Sequence, residues 1–243
     1  MRAVSVATAF LSAALALTAC TSPGLSDSSS PPPPAPPSLR ADGDGVDAAA
    51  NTTVGAARSG LVVTIGDSIM AGLGVDPDDA WPELLASSTG ADIVNLGCSG
   101  AGFLAVGDCG TDFDGLVDEA VTFSPDLVIV QSSDNDLDAP EDEIADATSS
   151  AIDRLHEALP DAEIIGIGTL WHLDADEPDE ITWSSTALQE AVEGVGGVFV
   201  SIGQPLRDHP QLLQWDGEHP NEQGQRVLSD AVARALDDAG VTL

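Results

Sequence analysis

Ser68 stands two residues beyond the glycine that closes a short apolar run, Val62-Val63-Thr64-Ile65-Gly66. Four consecutive apolar or β-branched residues read as a short buried strand. A hydroxyl held where such a strand ends opens onto the crevice that α/β sheets use for ligands. Ser68 is therefore a candidate nucleophile, and it needs a partner, because a hydroxyl is weakly reactive at neutral pH without a base. Polar and small residues cluster in three further places: Asn95-Leu96-Gly97-Cys98-Ser99-Gly100, Ser132-Ser133-Asp134-Asn135-Asp136, and Trp215-Asp216-Gly217-Glu218-His219-Pro220-Asn221. A base, an orienting carboxylate and polar donors are all present, and one catalytic centre could gather them. Plainer duties fit the same residues. Ser68 could cap the next helix, Asn135 could close a turn, and Gly100 could serve backbone conformation alone. Asp216 and His219 could be a helix cap and a surface histidine.

The elements that must position these groups alternate along the chain. Strand-like runs fall at 61–66, 92–96, 126–131, 163–168 and 197–202, short and continuously apolar as in strands buried on both faces of a parallel sheet. Amphipathic segments lie between them. Ile144, Ala151, Ile152, Leu155 and Leu159 share one helical stripe from about Glu141, and Val227, Leu228, Ala231, Val232 and Leu236 share another that ends at Gly240. This alternation predicts an α/β fold, a three-layer α/β/α sandwich with right-handed crossovers. The candidate residues then fall at the carboxyl ends of strands or in the loops beside them.

The chain has 243 residues and divides unevenly. Residues 3–19 are nearly all apolar or small, follow Arg2, and end in Leu17-Thr18-Ala19-Cys20. Small residues before a cysteine at the end of such a run resemble a bacterial lipoprotein signal peptide over 1–20, with cleavage before Cys20 and a diacylglycerol on its thiol. Residues 21–59 are Pro-, Ser-, Ala- and Gly-rich and read as a linker, leaving 60–243 as one domain. The expectation is an exported protein, lipid-anchored at the outer face of the bacterial cell membrane, touching the membrane through its anchor only. Residues 60–243 carry 4 Arg, 37 Asp+Glu and no Lys, a net of −33. Such a field repels nucleic acid and anionic headgroups, so both are discarded as partners. A monomer is expected. With Cys20 lipidated, Cys98 and Cys109 remain as an even pair in an oxidising compartment; they form either a bridge or two buried thiols.

The candidate blocks resemble those of the SGNH (GDSL) hydrolase family. Gly66-Asp67-Ser68, Gly100 closing Asn95-x-x-x-x-Gly, Asn135 in Asn-Asp, and Asp216-x-x-His219-Pro220 follow the family's four blocks in order, over essentially all of 60–243. Ala80-Trp81-Pro82-Glu83-Leu84-Leu85 resembles the segment after the nucleophile in esterase and thioesterase members. The resemblance implies a five-stranded parallel sheet in flavodoxin-like order. It also implies a serine esterase acting on small or medium acyl esters, such as O-acetyl groups on glycans or short-chain lipid esters, through an acyl-enzyme and without a cofactor. Ser68 would be the nucleophile, His219 its base and Asp216 the carboxylate that orients His219. The backbone N–H groups of Ser68 and Gly100 and the side-chain amide of Asn135 would form the oxyanion hole. A catalytically silent glycan- or lipid-binding module is the alternative on the same fold.

Two features depart from expected patterns. Where the family has Gly-x-Asn-Asp or Gly-Gly-Asn-Asp, this chain has Ser133-Asp134-Asn135-Asp136, with a carboxylate at 134 beside the implied oxyanion donor; it is expected to point outward. Position 70 is Met, so the Gly-x-Ser-x-Gly elbow of α/β-hydrolases is absent. Asp134-x-Asp136-x-Asp138 lacks the glycine and glutamate of a calcium loop, having Ala139 and Ala145 in their places, and no cysteine–histidine spacing suggests zinc. No metal is expected. The loop from Leu170 to Asp179, with Trp171, His172 and Trp183 near it, is expected to shape a pocket, while His156 and His209 read as ordinary structural or surface residues.

Overall fold

The computed structural model describes residues 60–172 and 176–243. The 1–20 segment with Cys20, the 21–59 linker and the centre of the 170–179 loop lie outside the described residues. Five strands, β1 (Leu61–Gly66), β2 (Asp92–Gly97), β3 (Leu127–Gln131), β4 (Glu163–Ile167) and β5 (Val198–Val200), form one sheet in the order β2-β1-β3-β4-β5. All four pairings are parallel. The predicted α/β sandwich and its flavodoxin-like order are what the chain adopts.

Alternation along the central strands divides the core into two layers. Val62 of β1, Leu127 and Ile129 of β3, and Ile165 and Ile167 of β4 face one side. There they meet α1 (Ser68–Ala71), α2 (Trp81–Thr89) and α6 (Glu222–Asp238). Val63, Ile65, Val128, Val130 and Ile164 face the other, against α3 (Phe113–Phe123), α4 (Glu141–Ala158) and α5 (Asp179–Gly194). The two predicted helical stripes are the buried faces: Ile144, Ala151, Ile152 and Leu155 in α4, and Leu228, Ala231, Val232 and Leu236 in α6. Burial of large side chains such as Trp81, Phe113, Met70 and Leu85 stabilises the fold by roughly 1.5–3 kcal/mol per aliphatic or aromatic group.

The edges differ from the continuous burial expected of them. β1 after Leu61, and β3 throughout, are buried, whereas every residue of β2 is exposed or half-buried and β5 is half-buried up to Val200. An edge strand has a neighbour on one side only. β5 is also shorter than the 197–202 run: Val200 pairs with Ile167, the last residue of β4, so Ser201 and Ile202 have no strand beside them.

Candidate active site

The nucleophile's turn is set by Asp67. Its backbone is extended, with φ −98°, and its Oδ1 accepts the N–H of Ile69 at 2.9 Å, so Asp67 is the N-cap of α1 and Ser68 is the first helical residue. The capping duty that Ser68 could have had belongs to its neighbour, and the Ser68 hydroxyl is left for other work. Close packing fixes this turn from two sides. A Cβ on Gly97 would run into the backbone nitrogen of Ala71, so the end of β2 lies directly against α1. Asn95 donates to Met70 O at 3.0 Å and accepts Gly97 N–H at 2.9 Å. From α6, the fully buried Gln225 donates to Ile69 O at 2.9 Å and accepts Trp81 N–H at 3.0 Å.

The base arrives on the loop before α6. Gln214 N–H donates to His219 O at 2.7 Å and Leu213 pairs with Pro220 as an antiparallel bridge, so residues 214–219 form a tight hairpin. Asn221 anchors its far end, capping α6 through Gln223 and Gly224 N–H while its amide donates to Gln211 O and Leu213 O. Within the hairpin, Asp216 Oδ1 accepts the N–H groups of Glu218 and His219, and Asp216 Oδ2 lies 3.0 Å from His219 Nδ1. His219 Nε2 lies 3.0 Å from Ser68 Oγ. The backbone N–H of Glu218, ahead of the His219 contacts, holds the Asp216 carboxyl below its ordinary value, despite partial desolvation. It stays ionised and keeps Nδ1 as the protonated nitrogen, leaving Nε2 to accept from the serine.

Three loops gather the donors. Gly100 has φ +78°, a left-handed backbone that glycine adopts without strain. Asn135 Nδ2 donates to Ala101 O at 2.9 Å and to Ser133 Oγ at 2.8 Å. Ser133 in turn donates to Asp67 Oδ2 at 2.6 Å. A hydrogen-bond chain therefore runs from the nucleophile's N-cap through Ser133 and Asn135 to the residue after Gly100. Both Nδ2 hydrogens of Asn135 have partners, so donation to an oxyanion requires exchanging one. Ser133 Oγ, which also receives Asn135 N–H at 3.1 Å, is the cheaper partner to give up. Burial pushes the Asp67 carboxyl up, opposed by the Ser133 hydroxyl and the N–H groups of Ile69 and Met70.

Asp136 and the disulfide hold the Gly100 loop. The buried Asp136 carboxylate accepts N–H from Phe103, Leu104 and Ala105 at 2.7, 3.1 and 2.9 Å. Those bonds occupy it, and among the described residues no His/Cys/Asp/Glu cluster could hold a metal ion. Cys98 and Cys109 are joined, S–S 2.02 Å, closing the loop that carries Gly100. The structure brings the candidates Ser68, Asp216 and His219 into contact and sets Asn135 beside the Gly100 loop; sequence reasoning assigns no role to Ser133, Asp136 or Gln225. Asp136 was signalled by the Asn-Asp pair, whereas nothing local marks Gln225.

Asp134 does not point outward as expected. Its side chain is half-buried, and its carboxyl is raised to about 7 by desolvation, with the negative charges of Asp67 and Glu218 adding to the rise and His219 opposing it. The turn that ties Ser133 to Asp67 and Asn135 to Ala101 leaves the intervening residue at the mouth of the site.

Beside the hairpin lies a cavity of about 540 Å³, lined by His172, Asp208, His209, Leu213, Gln214 and Gly217 among the described residues. His172 and His209 thus belong to this wall. Trp171 is buried, with its backbone N–H donating to Gln204 Oε1 at 2.7 Å, and Trp183 is a half-buried residue of α5.

Residues 64–227 match the GDSL-like lipase/acylhydrolase family. The chain is 32% identical over 193 residues to GDSL lipase Rv0518 of Mycobacterium tuberculosis, covering 72% of this chain and 81% of that protein. Among solved structures, a lipolytic protein of the G-D-S-L family from Desulfitobacterium hafniense superposes with TM-score 0.60 at 17% identity, covering 72% of this chain and 99% of that one. The psychrotrophic esterase EstA from Pseudoalteromonas gives TM-score 0.60 at 17% identity, covering 74% and 97%. Ser68 at the end of β1 in hydrogen-bonded sequence with His219 and Asp216, on a fold shared with these proteins and with residues 64–227 matching the family, leads to one assignment: the chain belongs to the GDSL-like lipase/acylhydrolase family and is a hydrolase of the SGNH type.

Proposed function

We propose that the protein hydrolyses small or medium acyl esters through an acyl-enzyme on Ser68. The observation that carries this reading is the continuous contact from Asp216 Oδ2 through His219 to Ser68 Oγ, 3.0 Å at each step. Ser68 Oγ bonds to the carbonyl carbon while its proton passes to His219 Nε2. The bond to the alcohol oxygen then breaks, and the alcohol leaves with the proton from His219. Water attacks the acyl-enzyme, gives its proton to His219, and the acid leaves as Ser68 recovers a proton. Asp216 stabilises the imidazolium present between these transfers. Ser68 N–H, Gly100 N–H and the Asn135 amide receive the negative oxygen, each such donor being worth about 10²–10³ in rate. O-acetyl groups on glycans and short-chain lipid esters are the substrates we propose; thioesters would follow the same steps.

Fluorophosphonate labelling tests the reading. Wild-type protein is expected to be labelled at Ser68 and to hydrolyse p-nitrophenyl acetate, and Ser68→Ala to lose the label and at least about 10⁴-fold in kcat. A folded wild type that takes no label and cleaves no ester would instead be a silent glycan- or lipid-binding module.

We further propose that residues 60–243 form the catalytic domain, working as a monomer, carried on the 21–59 linker from a lipidated Cys20 at the outer face of the cell membrane. Growth with labelled palmitate should mark the full chain and leave Cys20→Ala unmarked; an unmarked wild type would refute the anchor.

A further inference from the structure

The cavity beside the hairpin and the base that serves Ser68 share one piece of chain. Gly217 lies between Asp216 and His219 and lines the cavity, and Gln214, also in the wall, donates its N–H to His219 O. The leaving alcohol must take its proton from His219, so the alcohol half of an ester lies on this side of the nucleophile. Its volume, about 540 Å³, falls within the roughly 300–1,000 Å³ of small-molecule clefts. The exposed lining is mainly apolar, and among the described residues His172, Asp208, His209 and Gln214 set polar groups into it, the make-up of a small-molecule site with a few placed polar contacts.

His172 is the unusual member. It is 8% exposed, and its Nδ1 is sealed from solvent with no hydrogen-bond partner among the described residues. Burial lowers its tendency to protonate, so the ring is neutral. With Nδ1 sealed, Nε2 is the ring nitrogen left to meet a ligand at the cavity, and a hydroxyl can pair with it in either tautomer. A wall built only to admit an alkyl chain would gain from an apolar ring here and would avoid the unpaired nitrogen.

We infer that this cavity holds the alcohol half of the ester and that His172 pairs through Nε2 with a hydroxyl on it, which makes the preferred substrate an acyl ester of a polyhydroxy alcohol. The inference rests on the esterase reading given above. The alcohol could be a sugar or the glycerol of a lipid; both present a hydroxyl within two carbons of the esterified one.

The test compares glucose 6-acetate, glyceryl monoacetate and propyl acetate on wild type, His172→Phe and His172→Gln, with the rate of Ser68 phosphonylation measured on each protein. Wild type is expected to favour at least one hydroxylated ester over propyl acetate by tenfold or more in kcat/KM. His172→Phe should reduce that preference at least tenfold, chiefly through KM. His172→Gln places an amide nitrogen near the Nε2 position and should restore much of it. The larger ratio identifies the source, glycan or glycerolipid. A wild type without preference overturns the inference whatever the variants do, as does an equal loss on all three esters in His172→Phe. Wild type that is neither phosphonylated nor active on any of the three overturns the esterase reading and this inference together; phosphonylation with an unmoved ratio overturns the inference alone.

Discussion

Asp134 places a titrating carboxyl at the mouth of a site whose reaction creates negative charge. With its pKa raised to about 7 by desolvation and by Asp67 and Glu218, it is neutral in mild acid and charged above neutrality. Ionised, it opposes the oxyanion. Asp134→Asn should therefore raise kcat/KM several-fold at pH 8 relative to wild type and change it little at pH 5.5; a constant ratio across that range would show that Asp134 does not act on the reaction. Stability follows the same titration. The folded value lies above the 3.8 of an ordinary aspartate, so the folded state holds a proton that the unfolded chain has released. That stabilisation is complete below about pH 3.8 and is lost as pH rises through about 7. Thermal melts of Asp134→Asn should decline less between pH 5 and 8 than those of wild type. Ser133 makes a second prediction at this scale. Ser133→Ala removes the donor to Asp67 and the acceptor of Asn135, and leaving a buried carboxyl without that partner costs about 1–3 kcal/mol. We expect a lowered melting temperature together with a fall in kcat larger than the change in KM.

At the scale of elements, the site depends on loops whose backbones are tied from elsewhere. Asp136 holds Phe103, Leu104 and Ala105, and Cys98–Cys109 closes the segment that contains Gly100. A bridge across so short a loop contributes about 3 kcal/mol on the chain-entropy account. Cys98→Ser/Cys109→Ser should lower the melting temperature and the rate of Ser68 phosphonylation; unchanged phosphonylation would mean that the Gly100 loop keeps its shape without the bridge. Much of this scale was legible from sequence. Continuous apolar runs located all five strands, and the helical stripes of Ile144–Leu155 and Leu228–Leu236 located α4 and α6, because burial leaves a periodic record in the chain. That Ser68, Asp216 and His219 would meet was legible because nucleophilic chemistry restricts the residue types. The ends of the edge strands were not, since where β5 stops depends on how far β4 extends. Nor were Ser133, Gln225 or the inward turn of Asp134, because each is fixed by partners dozens of residues away that no local pattern names.

The whole molecule carries its negative charge with few counter-charges. Of four arginines in residues 60–243, Arg154 pairs with Asp114 and Asp118, Arg207 with Glu177, and Arg226 with Asp79 and Glu222. These exposed or half-exposed pairs are worth roughly 0–1 kcal/mol each, so repulsion among the remaining carboxylates is the larger long-range force. Screening it should help folding: the melting temperature is expected to rise by several degrees between 0.05 and 1 M NaCl, conditions that take the Debye length from over 10 Å to about 3 Å. A melting temperature that falls with salt would show that the pairs dominate.

The bond from His219 to Ser68 spans 151 residues of chain, from the first strand to the loop before the last helix. A chain emerging from its N-terminus forms the Ser68 turn long before His219 exists to meet it. On the esterase reading proposed above, any product cut short of His219 would hold a serine without its base, however well the sheet has formed. Hydrolytic activity would then report that the chain has been made and folded through the loop that carries His219, and a shorter product would carry the fold's chemistry in unusable form.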